Sequence, residues 1–378
     1  MHKSLAHINA AQLLGNLEVS GFIEDAVDTE NFVLSRQQEK ELPLYLRALA
    51  GVGAFIASGC FIGFLSAADI ISYRQESGLI AWGLVFVAAA MLLQRLSGNL
   101  HDTVRHSFLM QSSFAAMAVG KSLFVFGTAQ AMDSGWGATF ALLTITAATY
   151  HVYRMSIDRF LSSLGVLISV LVNILHASYL PENIWQMAFN GFFLMQLAGT
   201  ALLFTSGRIR SDYVPLAYAF AFSLAASALA LAMSDSFAHW GRYGQEKHLL
   251  EPVFAALALA GGLIALIGWA AGDMRKLRSE PLMLASAGAM LLGTISAPGI
   301  LLSIGFLTLG YARHERLMVS LGAVLLPVFL FFYYYNLHVS LMEKSAILIG
   351  SGVVLLAGRY YLKCKGWNKE GGTSCVQK

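Results

Sequence analysis

Lys121 is the one basic residue that falls inside a long apolar run, the stretch 107–128. An ammonium in hydrocarbon is expensive, so such a residue marks a functional position unless its stem carries the charge to an interface. Counted at 1.5 Å per residue from the start of its run, it stands about 21 Å along the helix. That depth is the outer half of a hydrocarbon layer about 30 Å thick. Four uncharged polar residues come to the same region on the next apolar runs. Asn173 and His176 end the run 158–177, and Asn190 and Gln196 lie within 184–205. With Lys121 they form a candidate polar binding cluster open to the outside. The competing reading is ordinary interhelical hydrogen bonding, worth about 0.6 kcal/mol per contact, with Lys121 snorkelling to the outer interface.

Other constellations carry less. No Asp or Glu lies in the middle of any apolar run, whereas ion-coupled transporters often keep a carboxylate there for the coupling ion. His101, Asp102 and His106 resemble a metal-hydrolase doublet without the rest of such an enzyme. The stretch 234–249 holds Asp235, His239, Arg242, Glu246, Lys247 and His248, and reads as a solvated outer loop. Zinc needs three or four ligands fixed by structure, and two histidines in a loop do not supply them. Tyr333, Tyr334 and Tyr335 fit an interfacial aromatic belt. No phosphate-binding loop, dinucleotide fingerprint, zinc-protease helix or serine-hydrolase elbow is present. The sequence therefore nominates no catalytic residue, metal site or cofactor.

The elements that must position these residues are written in the composition. Of 378 residues 57% are apolar and 12% charged, against about 25% charged in soluble domains. Apolar runs long enough for spanning helices occur near 46–70, 78–94, 107–128, 134–152, 158–177, 184–205, 213–233, 250–271, 281–296, 299–312, 317–337 and 344–362. The expected fold is all-α, a polytopic helical membrane protein with about twelve spans and short loops. The runs 281–296 and 299–312 are short, so they either both cross or form one re-entrant hairpin. Pro43, Pro181, Pro215, Pro252, Pro281 and Pro298 fall in connections or first turns, where a missing N–H is harmless. Only Pro327 lies inside a run, and it predicts a kink there.

Cytoplasmic connections hold an excess of Lys and Arg. With the N-terminus inside, twenty of the 25 basic residues fall on the inner side. Arg74, Arg242, Lys247 and Lys344 fall outside, and Lys121 lies within the membrane. Both termini are thus expected in the cytoplasm. Residues 1–43 form an acidic tail, with Leu13, Leu14, Leu17 and Ile23 suggesting one or two short amphipathic helices. They lack the basic, apolar and cleavage regions of a signal peptide. The membrane domain follows over 44–363, then a basic tail over 364–378. Cys60 lies in an apolar run, while Cys364 and Cys375 lie in that tail, so no disulfide framework is implied. The scattered basic residues form no patch for nucleic acid.

From Pro298 the chain runs through an apolar hairpin, the turn Gly310-Tyr311-Ala312-Arg313-His314-Glu315-Arg316 and an aromatic end at Phe332-Tyr333-Tyr334-Tyr335. A short outer loop, Ser340 to Ser345, and a Gly-containing last helix follow. This order resembles a bacterial membrane-protein family known as domain of unknown function 4401. The opening PLYLRALAGVGAFIASGCFIGFL after an acidic tail resembles the start of that family. Likeness extends over about 43–362. It implies a bacterial inner membrane and, as a partner, an envelope protein of the GDYXXLXY family, membrane-anchored with an exoplasmic portion. It lends no residue a catalytic role. The leading expectation is a non-enzymatic subunit or scaffold in the bilayer for an envelope partner. A transporter of a small solute or lipid comes second, and an envelope-lipid or glycan enzyme last.

Overall fold

The computed structural model describes residues 76–97, 103–177, 181–206, 211–240, 252–270, 280–295 and 298–336, with isolated helical positions between 53 and 67 and between 342 and 356. The acidic tail, the basic tail and most of the runs 46–70 and 344–362 lie outside the described residues.

Every described element is helical. In chain order they are α1 (Glu76–Ser97), α2 (Thr103–Met132), α3 (Gly135–Tyr150), α4 (Ser156–His176), α5 (Glu182–Thr205), α6 (Val214–Trp240), α7 (Pro252–Ala270), α8 (Glu280–Ile295), α9 (Pro298–Arg313) and α10 (Arg316–Asn336). A 3-10 turn, Ser211–Tyr213, leads into α6. Each helix falls on one of the apolar runs. Seven described segments are long and apolar enough to cross a membrane: α1, Phe108–Met132 of α2, α4, α5, Val214–Met233 of α6, α7 and Arg316–Tyr335 of α10. Helices α3, α8 and α9 have 16 residues each, about 24 Å. Large apolar side chains stand outward on the long helices, among them Leu202 of α5 at 69%, Val253 of α7 at 64% and Val324 of α10 at 63% exposure. A water-facing surface does not carry so much exposed apolar side chain. These are the features of a membrane protein.

The main boundary difference is in α6, which continues seven residues past the run 213–233 to Trp240. Asp235 and His239 are therefore helical and not in a loop. Hydropathy falls at Ser234, but falling hydropathy does not end a helix.

The chain divides into two compact units, Met1–Ser72 with Val85–Gly120, and Tyr73–Leu84 with Lys121–Lys378. Within the first, Ser113 Oγ donates to the Ala90 carbonyl at 2.8 Å, joining α1 and α2. The second has a dry core of Phe189, Phe193, Leu224, Leu301, Met318 and Phe329, each under 2% exposed. Helix α6 is central to it and packs on α4, α5, α9 and α10. Its Ala217, Ala219, Ala221, Ala225 and Ala228 are all buried, and small side chains let neighbouring helices come close.

Helices α9 and α10 make the most extensive pair. A Cβ built on Gly322 would stand 2.9 Å from the Ser303 carbonyl and the Leu307 nitrogen, so glycine sets their approach. Between them Glu315 N–H bonds the Gly310 carbonyl and His314 N–H the Tyr311 carbonyl, with His314 at φ 57°. That pairing closes α9 with a Schellman motif. Helix α8 packs chiefly on α7 and barely touches α9, so the two short helices are not a tight hairpin. Helix α10 continues through Pro327 to Asn336.

Candidate functional site

Lys121 stands 18 residues after the first residue of α2 and 11 before its last. The helix begins earlier and ends later than the apolar run 107–128, so Lys121 stands farther from its C-terminal end than the run implies. Helical side chains also lean toward the N-terminus of their helix. The ammonium therefore reaches back toward the start of α4. Its Nζ lies 2.6 Å from Asp158 Oδ2 and 2.7 Å from Ser162 Oγ. Lys121, Asp158 and Ser162 are all buried. Asp158 and Ser162 are four residues apart, one helical turn, and so present both oxygens on one face. Asp158 lies in the first turn of α4, where the helix dipole favours a negative charge.

Arg159, next in sequence, faces another way. Its Nε donates to the Tyr150 carbonyl at 2.8 Å and the Tyr153 carbonyl at 3.3 Å, covering carbonyls at the C-terminal end of α3. Its Nη1 lies 3.0 Å from Asp212 Oδ1. Tyr150 places its ring under the guanidinium, 5.0 Å from Cζ, and donates its hydroxyl to the Asp212 carbonyl at 2.8 Å. The connections before α4 and α6 are thereby tied together.

The other candidate residues find different company. Asn173 Nδ2 donates to Thr139 Oγ1 at 2.6 Å and to the Gly135 carbonyl at 3.1 Å, and Thr139 bonds Ser169 at 2.7 Å. His176 is exposed and pairs through Nδ1 with the Val172 carbonyl one turn back, at 2.9 Å. Asn190 accepts a 3.4 Å bond from Gln186 on its own helix. Gln196 is fully buried and joins α5 to α6, donating to Ser223 Oγ at 2.5 Å and accepting from Ser227 Oγ at 2.8 Å. Lys121 reaches none of these four. They are separate hydrogen-bonded groups, and the five residues expected together form no single constellation.

Asn173 and His176 line a surface depression of about 500 Å³ with Asp133, Ser134 and Trp136. Asn190 lines another of about 810 Å³ with Glu182, Asn183 and Gln186. Lys121 and Gln196 line neither. His106 bonds the Ser97 carbonyl at 2.9 Å, while His101 and Asp102 lie outside the described residues. No group of three or more His, Cys, Asp or Glu converges among the described residues.

Asp158 is the residue that reading by hydropathy passed over, because it sits at a run's edge and looks interfacial. The available signal was Lys121 itself: a buried ammonium calls for a carboxylate, and Asp158 with Ser162 four residues on presents two oxygens to one neighbour.

The family DUF4401, described as a domain of unknown function, matches residues 43–365. The chain belongs to this family. The DUF4401 region takes in every described helix and ends before most of the basic tail. No curated protein and no solved structure matches the chain.

Proposed function

We propose that this DUF4401 protein is a multi-pass, non-enzymatic membrane subunit that holds an envelope partner. The observation that carries the reading is how the polar groups within the apolar helices are spent. Lys121 is neutralised by Asp158, and Gln196 is consumed by Ser223 and Ser227. Among the described buried side-chain polar atoms, only Thr146 Oγ1 lacks a partner. An ion or substrate path needs its polar groups to face a cavity, and Lys121 and Gln196 line none of the three described pockets. Here the polar groups bind one another and fix the helices.

In this reading the chain crosses the bilayer of a bacterial inner membrane about twelve times. Both termini are cytoplasmic, in keeping with the distribution of Lys and Arg. Its partner is the GDYXXLXY-family protein, anchored in the same membrane with an exoplasmic portion. Short connections leave little exoplasmic mass on this chain, so a partner supplies it. The test is co-purification in mild detergent with both proteins expressed from native levels and the GDYXXLXY protein tagged. Recovery of a stoichiometric pair supports the subunit. A chain that stays separate, and that moves a solute when reconstituted alone into vesicles, sinks the reading in favour of transport.

A further inference from the structure

Helices α5, α7 and α9 leave a groove of about 540 Å³ between them, within the range of roughly 300–1,000 Å³ typical of small-molecule sites. Its walls are apolar, with Leu197, Leu263, Leu266, Leu302 and Phe306 among the lining residues. Glycine makes the room. A Cβ built on Gly261 or Gly305 would meet nothing within 4 Å, so both face open space. The groove opens outward past Leu194, Ala201, Gly261 and Ala265, all exposed. Helices α5 and α7, which carry these exposed positions, are long and apolar enough to span, so in a bilayer the opening faces acyl chains.

A charge lies just beyond one end of the groove. Thr205 and Trp269 line it there, and the Arg313 guanidinium lies over the Trp269 ring, 5.1 Å from Cζ to centroid. Arg313 Nε donates to the Phe204 carbonyl at 2.6 Å and Nη2 to the Ser206 carbonyl at 3.1 Å. The Schellman turn at His314 fixes the backbone that carries it. No described carboxylate pairs with Arg313; the described ion pairs are those of Lys121 and Arg159. Guanidinium has five N–H donors, and two are taken.

We propose that this groove holds an acyl chain of an anionic phospholipid whose headgroup phosphate rests on Arg313. An apolar cavity open to the bilayer gains dispersion contact when a chain enters it. The guanidinium, which has no carboxylate on it among the described residues and has donors to spare, is matched by phosphate, which accepts two parallel N–H bonds. Basic pockets between spanning helices on the cytoplasmic side are where anionic headgroups are recognised. The inference rests on membrane insertion and on this geometry, and it is independent of which protein the chain holds.

The test is native mass spectrometry of the full chain in mild detergent, titrated with dioleoyl phosphatidylglycerol and, separately, dioleoyl phosphatidylcholine. The wild-type chain is expected to prefer phosphatidylglycerol by roughly fivefold, the increment of one basic residue near a headgroup. Gly305→Leu fills the groove and removes occupancy by both lipids; Gly261→Leu repeats the test if the first variant does not fold. Arg313→Gln keeps a donor for the Phe204 carbonyl, retains lipid and abolishes the preference. Equal binding of the two lipids by the wild-type chain overturns the proposal, as does undiminished binding by a folded leucine variant. A benzophenone attached through Gly261→Cys in native membranes should capture phospholipid. Capture of a polypeptide instead overturns the lipid and gives the groove to a protein helix.

Discussion

Lys121 and Asp158, 37 positions apart, bring Nζ and Oδ2 to 2.6 Å with each side chain only 8% exposed. Neither charge is tolerable alone at such burial. Taking an ion out of water costs several kcal/mol, and attraction in a low dielectric offsets that only with close geometry and further hydrogen bonds. Ser162 supplies one such bond. The pair therefore acts as a registration device between α2 and α4.

Lys121→Met leaves Asp158 buried without its cation. The expected loss is about 3–5 kcal/mol, as for breaking other buried pairs, read as a lowered melting temperature in detergent. Adding Asp158→Asn to that variant should recover most of the loss. A double variant no more stable than Lys121→Met alone would show that the two charges do not depend on each other.

Gln196→Leu is expected to be milder. It removes the amide that joins Ser223 and Ser227 on α6 to α5, at about 0.6 kcal/mol for each interhelical bond in a membrane protein. Equilibrium unfolding in mixed micelles measures it. A loss as large as that of Lys121→Met would mean that Gln196 does more than join two helices.

Glycine substitutions should separate by location. Gly322→Ala forces a methyl to within 2.9 Å of the α9 backbone and is expected to destabilise by about 1–3 kcal/mol, the usual range for overpacking. Gly305→Ala meets nothing within 4 Å and should be neutral or stabilising, since alanine is the better helix former by up to about 1 kcal/mol. Thermal melts of the two variants side by side decide it; the reverse order would contradict the close approach of α9 and α10.

Topology has its own experiment. Cys364 and Cys375 should resist a membrane-impermeant maleimide in cells with a permeable outer envelope and react once the inner membrane is opened. Labelling of either in intact cells would mean that the number of crossings has the other parity.

Much of the helical framework was legible because hydrophobic length is a local property. Ten described helices fall on runs found from hydropathy alone, and the prolines at 181, 215, 252, 281 and 298 sit at or beside helix starts, where they break no hydrogen bond. The C-terminal order of hairpin, Arg313-to-Arg316 turn and aromatic end was equally readable, and with it the family. Helix ends were less so: α6 runs on through Ser234-Asp235-Ser236, poor helix formers, because extending a helix that has already started costs little, one hydrogen bond being gained per residue fixed.

The partners of the polar residues were decided only in three dimensions. Sequence marked Lys121 as an anomaly and Asn173, His176, Asn190 and Gln196 as polar residues at similar depth. Depth along a helix does not say which face a side chain occupies or which helix lies against that face. Those depend on rotation about each axis and on neighbour order, which are set by packing across the whole bundle. Tertiary structure gave Lys121 to Asp158, Asn173 to Thr139, and Gln196 to Ser223 and Ser227. It also opened a groove at Gly261 and Gly305 that no linear pattern distinguishes from the tightly packed glycines at 310 and 322, because a glycine's surroundings belong to the helices beside it.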